Sequence, residues 1–310
     1  GVIWMGTHGG GLSKYEPERK KFIHVHKEPN SEDGLTNDMI LSIYKDRLGY
    51  LWIGTYSGGL NKYDPLTGTY THYRYDPNNP SSISSNKISD ITEDNNGNLW
   101  IGTQITEDVG GLNRLIRDKQ EFVVYRNDPT DPTTLHYDEI LALHCDAYNN
   151  LWIGTKGKGL DKLIIEHDKI IHYNHNEFDT NTISSDFITD IAEDDNENLW
   201  IGTDNGLNRF NPFTENVTRY HFNPTNKNTL TSNYITCIHV AKDNSIWIGT
   251  DNGLNVFNPH TNSFNALYQK DGLSNNYIKS VIEDDTGNIW VGTNYGLNKV
   301  HRDDMSVNRY

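Results

Sequence analysis

One short pattern, Trp-x-Gly-Thr, returns seven times along the chain and accounts for every tryptophan in it. Successive copies are spaced 48, 48, 52, 48, 47 and 43 residues apart. Self-similarity at a period of about 40 to 50 residues is typical of repeat architectures, in which each copy is one small supersecondary unit. The copies begin at Trp4, Trp52, Trp100, Trp152, Trp200, Trp247 and Trp290. This repeat constrains the fold more than any other feature of the sequence.

Each repeat predicts four short strands, which we name a to d. In the third copy they are expected at 88–94, 99–103, 111–115 and 122–125, with turn-forming residues between them. Short strands joined by tight turns, with no helical period, predict one antiparallel sheet per repeat. Seven such sheets can cover their faces by packing around an axis. The sequence therefore predicts an all-β, seven-bladed β-propeller of four-stranded antiparallel blades, with 1–310 as a single domain.

The first blade is expected to differ from the others because the chain starts at strand b of the first copy. The prediction is 27 strands of a possible 28, with the innermost strand of the first blade missing. We expect that strand to come from sequence outside this stretch. The alternative is a first blade that closes with three strands.

The apolar positions predict how the blades pack. Strand b lies inside its sheet, so its indole can lie between neighbouring blades, and the glycine two residues later leaves room for the next blade. The loop from strand d to the next strand a carries one aliphatic residue at a constant position, which we expect to hold the loop against the blade. These aliphatic residues are Leu35, Ile83, Leu135, Ile183, Leu230 and Leu273.

The charge balance limits the partners. With 27 basic and 42 acidic residues the net charge is −15, which repels nucleic acid and anionic membranes. No run approaches the roughly 18 apolar residues of a membrane helix, so this stretch is not expected to insert into a membrane. The acidic surface suits neutral or cationic ligands, although the need for solubility alone would also explain the net negative charge. Cys145 and Cys237 are expected to be reduced and packed.

The fullest copies of the repeat read Asn-x-Ile-x-x-Ile-x-x-Asp-x-x-Gly-Asn-Leu-Trp-Ile-Gly-Thr-x-x-Gly-Gly-Leu-Asn. This pattern resembles the two-component regulator propeller repeat. Residues 86–113 match it with a four-residue insertion, and 276–298 match it with Ile-Trp-Val in strand b and one glycine fewer. The resemblance covers the whole chain.

The resemblance implies the extracytoplasmic sensor region of a hybrid two-component receptor, often built from two propellers and a small β-sandwich before the membrane. It further implies a periplasmic or extracellular location, a glycan-derived oligosaccharide or other small molecule as ligand, and other domains of the same receptor as partners. A homodimer is possible on this reading, and the kinase of the parent receptor would lie outside this stretch. No cofactor is implied.

Two sets of residues are predicted to surround the ligand site, because the d-to-a loops and the b-to-c loops share one end of the blades. The first set follows each Gly-Thr and changes chemistry from blade to blade: His8, Tyr56, Gln104, Lys156, Asp204, Asp251 and Asn294. The second set begins strand a and is uniformly Asn or Asp: Asp38, Asn86, Asp138, Asp186, Asn233 and Asn276.

Each set has a structural alternative. An exposed loop position drifts freely, so variation does not require ligand reading, and a uniform Asn or Asp suits a backbone-bonding turn. The next residue is aromatic at Phe187, Tyr234 and Tyr277, where the ring can stack on a sugar or pack between blades. The longer b-to-c loop of the third blade carries Glu107 and Asp108 at its tip and is a candidate for partner contact.

Catalysis has little support in the sequence. No nucleophile elbow, His-Glu-x-x-His pair or phosphate-binding loop is present. The Asp-x-x-Gly segments at 94–97 and 284–287 lack the further acidic ligands of a calcium loop and are predicted to be turns. We therefore expect a binding module with no catalytic residues, metal or cofactor. The alternatives are a protein-interaction scaffold and an enzyme resembling the streptogramin lyases, with His8, His144 or His239 as candidate catalytic residues.

Overall fold

The computed structural model describes residues 2–16, 18–19, 21–27, 33–106 and 109–310. The chain divides into two compact units: unit 1 contains 1–155 and 161–171, and unit 2 contains 156–160 and 172–310. Across the described residues the regular structure is strand, apart from one short 3-10 helix at Gln269–Asp271. Within these same residues, no helix is long and apolar enough to cross a membrane.

Each repeat forms one antiparallel sheet whose strands are hydrogen-bonded in sequence order. Blade 1 contains β1 (Ile3–Gly6), β2 (Leu12–Glu16) and β3 (Lys21–Val25). Blade 2 contains β4 (Ile40–Lys45), β5 (Leu51–Thr55), β6 (Leu60–Tyr63) and β7 (Tyr70–Tyr73). Blade 3 contains β8 (Ile88–Glu93), β9 (Leu99–Thr106), β10 (Val109–Ile116) and β11 (Glu121–Tyr125). Blade 4 contains β12 (Ile140–Cys145), β13 (Asn150–Thr155), β14 (Leu160–Ile164) and β15 (Lys169–Tyr173).

The remaining repeats follow the same plan. Blade 5 contains β16 (Ile188–Glu193), β17 (Leu199–Thr203), β18 (Gly206–Phe210) and β19 (Val217–Tyr220). Blade 6 contains β20 (Ile235–Val240), β21 (Ile246–Thr250), β22 (Gly253–Asn258) and β23 (Ser263–Leu267). Blade 7 contains β24 (Ile278–Glu283), β25 (Ile289–Thr293), β26 (Gly296–Val300) and β27 (Val307–Arg309).

The predicted fold class is confirmed: the chain is an all-β, seven-bladed β-propeller of four-stranded antiparallel blades, with three strands in the first blade. The organisation of 1–310 as a single domain stays a prediction.

The predicted blade packing is present in both units. Six tryptophans, all except Trp4, are no more than 2% exposed. A Cβ placed on Gly102 would lie 2.7 Å from Cγ2 of Ile140 in the next blade, so the glycine does leave room for its neighbour. All six aliphatic residues of the d-to-a loops are buried. Cys145 and Cys237 are both free thiols, as expected, but only Cys237 is buried as predicted, and Cys145 is half-buried.

The turns between strands a and b have a further role that the sequence did not reveal. The predicted Asp-x-x-Gly turns are present, and their aspartate also binds the tryptophan of strand b. In blade 3, the indole N–H of Trp100 donates to Oδ2 of Asp94 at 2.9 Å. Blade 6 has Ala241 at this position, and there the Trp247 indole donates to the Ser245 hydroxyl at 3.1 Å. The same indole–carboxylate bond, at 2.8 to 2.9 Å, occurs at Asp46, Asp146, Asp194 and Asp284.

In unit 2 an arginine joins blades 6 and 7 at the end where the turns between strands a and b lie. Arg302, which follows β26, lies 2.9 Å from Oε1 of Glu283 and also pairs with Asp243 of blade 6. Burial opposes ionisation of Asp243, but hydrogen bonds from Arg302 and Ser245 lower the pKa of its carboxyl to about 2. The two carboxylates therefore attach one guanidinium to both blades.

Replacing Arg302 with glutamine should lower the free energy of unfolding at pH 7 by about 1–3 kcal/mol, because the almost fully buried carboxylate of Glu283 loses its cation, while the pair with Asp243 is partly solvated and contributes less. A carboxylate with a lowered pKa stabilises the fold above its unfolded pKa, and this stabilisation is lost as pH falls through the folded pKa. The deficit of the variant should therefore shrink between pH 3.8 and about 2. Urea unfolding at pH 7 and pH 2.5 measures this, with Arg19→Gln as control, because the side chain of Arg19 is mostly exposed. A pH-independent deficit would contradict the ionic origin.

Candidate ligand-binding surface

The variable residue after each Gly-Thr has a fixed backbone and a side chain turned to solvent. In unit 1, the N–H of Tyr56 donates to the carbonyl of Met39 at 2.9 Å, and that of Gln104 donates to Lys87 at 3.0 Å. In unit 2, the corresponding bonds of Asp204, Asp251 and Asn294 measure 3.2 to 3.4 Å. The side chains of His8, Tyr56, Lys156, Asp204, Asp251 and Asn294 are exposed, and Gln104 is half-buried. The backbone hydrogen bond is therefore shared by these positions, while the side chain differs from blade to blade.

The uniform Asn or Asp at the start of strand a fastens two loops. Its side-chain Oδ1 accepts the N–H of the residue two positions after strand d, as in Tyr75 to Asn86 at 2.9 Å. Its carbonyl accepts a glycine N–H from the preceding blade, as in Gly59 to Asn86 at 3.0 Å. The side-chain bond also forms at Asp38, Asp138, Asp186, Asn233 and Asn276, at 2.6 to 2.7 Å. These bonds explain the uniformity, and ligand contact by this set stays a prediction.

Burial raises the pKa of one member of this set. Asp138 is half-buried, and desolvation raises the pKa of its carboxyl although the Asn127 N–H and the Arg126 charge act in the opposite direction.

Four side chains of unit 2 form what we name the blade 6–7 cluster: Tyr234, Asp251, Tyr277 and Lys279. Tyr234 is 37% exposed and lies beside Asp251, whose N–H donates to its carbonyl at 3.4 Å. The ammonium of Lys279 lies 4.3 Å from the ring centroid of Tyr277. Desolvation raises the pKa of the Tyr277 hydroxyl, and the nearby Tyr234 and Asp251 act in the same direction. Aromatic faces, a carboxylate and an ammonium thus occupy one surface.

The cluster unites three residues that the sequence singled out with one that it did not. Lys279 is the second residue of β24, where the other blades carry Leu41, Ser89, Leu141, Thr189 and Thr236. Variation at that position was the signal that could have identified it. Unit 1 has a related but smaller pair, in which the Lys87 ammonium lies 4.9 Å from the ring centroid of the 42% exposed Tyr56.

The candidate catalytic histidines lie at different levels of their blades. In unit 1, His8 is exposed and bridges Met39 at the start of strand a. His144 instead lies near the other end of strand a, opposite Trp152. In unit 2, His239 occupies the same position as His144, opposite Trp247, and desolvation lowers the pKa of its imidazole. Unit 1 therefore does not bring His8 and His144 together.

Two further features depart from the repeat. In the other complete blades a buried asparagine of strand c accepts the N–H of a Ser or Thr in the d-to-a loop, as Asn113 does from Ser84 at 2.8 Å. Blade 4 has Asp161 in place of the asparagine and His136 in place of the Ser or Thr, and the backbone N–H of His136 donates to Oδ2 of Asp161 at 2.8 Å. The proposed partner contact at Glu107 and Asp108 lies outside the described residues.

Six segments match the family described as two component regulator propeller: 34–57, 82–104, 134–157, 182–205, 229–252 and 272–295. Each match begins in the d-to-a loop, crosses strands a and b, and ends at the variable residue or directly after it. The chain belongs to the two-component regulator propeller family. The family pattern thus covers strands a and b of blades 2 to 7 and ends where the side chains begin to differ.

The solved structures that this propeller resembles include extracellular domains assigned to two-component and one-component systems. It shares 29% identity with the extracellular domain assigned to a hybrid two-component system of B. thetaiotaomicron, with a TM-score of 0.81 over 96% of this chain and 38% of that one. An extracellular domain assigned to a one-component system of the same organism is 19% identical, with a TM-score of 0.52 over 99% and 53%. The propeller therefore spans less than two thirds of either domain. Comparison with curated proteins gives no match.

The fold is also found in an enzyme. Virginiamycin B lyase from Staphylococcus aureus has a TM-score of 0.68 at 16% identity, covering 94% of this chain and 88% of the lyase. At this identity the likeness extends to the fold alone.

Proposed function

We propose that this propeller is a ligand-sensing part of the extracellular region of a hybrid two-component receptor, and that it binds a glycan-derived oligosaccharide through the blade 6–7 cluster. The observation that carries the proposal is the match in fold and sequence to an extracellular two-component sensor domain over nearly the whole chain. On this proposal the propeller works outside the cytoplasm as a binding module, and its partners are the other domains of its receptor.

The chemistry of the cluster supports a sugar ligand. Tyrosine rings offer flat apolar faces with a polar hydroxyl, which suits the mixed surface of a pyranose ring. The carboxylate of Asp251 can accept hydrogen bonds from sugar hydroxyls, and the ammonium of Lys279 can donate them. The net charge of −15 favours a neutral oligosaccharide or one with amino sugars over a polyanionic one.

Removing one aromatic face should weaken binding more than it weakens the fold. Tyr277→Ala is expected to reduce the affinity for the best oligosaccharide of a neutral and amino-sugar panel by about tenfold, the loss of one stacking contact and its buried area. Isothermal titration calorimetry measures the change. Asp251→Asn should weaken binding less, because the amide oxygen still accepts a hydrogen bond.

The matched control is Phe213→Ala, which removes an exposed aromatic ring from the c-to-d turn of blade 5, away from the loop-bearing end. That variant should bind like the parent. Heat with no member of the panel, while a partner protein binds, would instead support the interaction-scaffold alternative. Loss of binding in both Tyr277→Ala and Phe213→Ala would exclude the blade 6–7 cluster as the specific site.

A further inference from the structure

Blade 4 carries a buried carboxylate where the other complete blades carry a neutral amide. In those blades the strand-c residue is Asn61, Asn113, Asn208, Asn255 or Asn298. In blade 4 it is Asp161, which is fully buried. Its Oδ2 accepts the backbone N–H of His136 at 2.8 Å, so it keeps the hydrogen bond that the amide makes elsewhere. A buried carboxylate also requires a cation or a metal ion to balance its charge.

His136 places an imidazole where the repeat otherwise has a small hydroxyl. The hydroxyl is that of Thr36, Ser84, Ser184, Thr231 or Ser274. In blades 3, 5, 6 and 7 it lies 2.8 to 2.9 Å from the hydroxyl of a strand-b threonine, as Ser84 does from Thr103. An imidazole is larger and can bind a metal ion through a neutral ring nitrogen. Because His136 is half-buried, an ion can reach it from solvent.

His172 supplies a second imidazole from strand d. Blade 2 shows how far such a residue reaches: His72 lies opposite Asn61, and its Nδ1 is 3.1 Å from Oδ1 of that asparagine. The residues opposite the asparagine in the remaining complete blades are Val124, Arg219, Ala266 and Arg309. Blade 4 is thus the one complete blade that combines a strand-d histidine with a strand-c aspartate and a loop histidine.

These three side chains converge within blade 4. Its strands β12 to β15 form one hydrogen-bonded sheet, and one ligand atom each of His136, Asp161 and His172 lies within 4.8 Å of the other two. Two imidazoles and one carboxylate are a donor set for zinc and for other first-row divalent ions. The sequence predicted no metal because the three residues form no local motif, and only the fold brings them together.

We propose that blade 4 contains a divalent metal site, formed by His136, Asp161 and His172 and suited to zinc. Zinc forms bonds of about 2.0–2.2 Å to imidazole nitrogen and carboxylate oxygen, so the ligand atoms must come closer together than 4.8 Å. The two half-buried imidazoles can turn inward, while the His136 N–H holds Asp161 in place. Three protein ligands leave the fourth tetrahedral position to water or to a ligand. The bound ion would balance the carboxylate charge and join the d-to-a loop to strands c and d.

A metal-free alternative uses the same residues. In that arrangement the carboxylate accepts hydrogen bonds from the imidazoles, and the trio only replaces the asparagine and hydroxyl of the other blades. The two arrangements differ in one measurable respect, which is the binding of zinc by the metal-free chain. Neither depends on sugar binding at the blade 6–7 cluster, so this proposal and the proposed function are tested separately.

The test uses the whole chain, freed of metal with a chelator, and zinc chloride as the probe. We expect one zinc ion per chain by isothermal titration calorimetry at pH 7.5, with a Kd of about 1 μM or below. Binding should raise the midpoint of urea unfolding, because zinc binds the folded chain. At pH 5.5 it should be at least about tenfold weaker, because protons compete for the imidazoles. Cobalt(II) should compete for the site and give the visible absorption of four-coordinate cobalt.

Three variants insert residues that other blades already carry at these positions, so each should fold, and urea unfolding without zinc checks this: Asp161→Asn, His136→Ser and His172→Val. Each should weaken zinc binding by at least about tenfold, because one ligand is lost. The matched control is His72→Val, which removes the strand-d histidine of blade 2 and should bind zinc like the parent. The proposal is overturned if the parent chain binds no zinc, or if Asp161→Asn and His172→Val bind it as tightly as the parent, which would indicate adventitious binding to other histidines.

Discussion

Replacing Asp94 with alanine should lower the free energy of unfolding by about 3 kcal/mol or more. Its carboxylate is fully buried and accepts hydrogen bonds from the Trp100 indole and from the backbone N–H groups of Asn96 and Asn98. Alanine would leave these donors unpaired, the indole N–H among them in a buried site, and an unsatisfied buried donor costs about 1–3 kcal/mol. The midpoint of urea unfolding, followed by tryptophan fluorescence, measures the loss.

Blade 6 supplies the comparison, since Ala241 already stands where the other turns have aspartate. There the Trp247 indole donates to the hydroxyl of Ser245, which is half-buried. Ser245→Ala should remove the neutral hydrogen bond from the indole and the one that the hydroxyl donates to the exposed carboxylate of Asp243, and together these losses should cost about 1–2 kcal/mol. Asp94→Asn should lie between the two, because an amide oxygen still accepts although the charge is lost. Equal losses for Asp94→Ala and Ser245→Ala would show that the carboxylate has no special role in the turn.

The sequence predicted the fold because the repeat expresses the same packing requirement in every copy. The tryptophan and the glycine of the repeat, Trp100 and Gly102 in blade 3, return in each copy because a large buried ring must alternate with a residue without a side chain where two blades meet. Leu135 and its equivalents recur because each long loop must bury one side chain to lie against its blade. Because the same packing contact is formed in blade after blade, the residues that form it return at the same interval in the sequence.

Partnerships that occur once leave no such pattern. The approach of Lys279 to Tyr277 depends on the particular residues of blade 7, and the approach of Tyr277 to Tyr234 and Asp251 depends on those of blades 6 and 7 together. The binding of the Trp100 indole by Asp94 was missed for another reason. Its aspartate recurs in most blades, but turn formation already accounted for that recurrence, so a second role was not visible in the pattern.

Replacing Gly249 with alanine should destabilise the propeller by about 2 kcal/mol. The added Cβ would lie 2.5 Å from Sγ of Cys237 in its own blade and 2.7 Å from Cγ2 of Ile278 in blade 7. Ile278 is fully buried, and Cys237 is nearly so. Neither side chain can turn into solvent, so blades 6 and 7 must separate slightly, and overpacking of this kind typically costs about 1–3 kcal/mol.

Gly292 in blade 7 is the matched control, at the same position of the repeat. A Cβ there would lie 2.6 Å from Oγ of Ser280, and its three nearest atoms among the described residues all belong to Ser280 of the same blade. Ser280 is exposed, so its hydroxyl can rotate away. Alanine in a strand is favoured over glycine by about 0.5–1 kcal/mol, and Gly292→Ala should therefore be neutral or slightly stabilising. Urea unfolding of both variants separates the effect of contact between blades from the backbone preference of alanine over glycine. Equal destabilisation by Gly249→Ala and Gly292→Ala would mean that the contact with Ile278 is not the reason for glycine in this repeat.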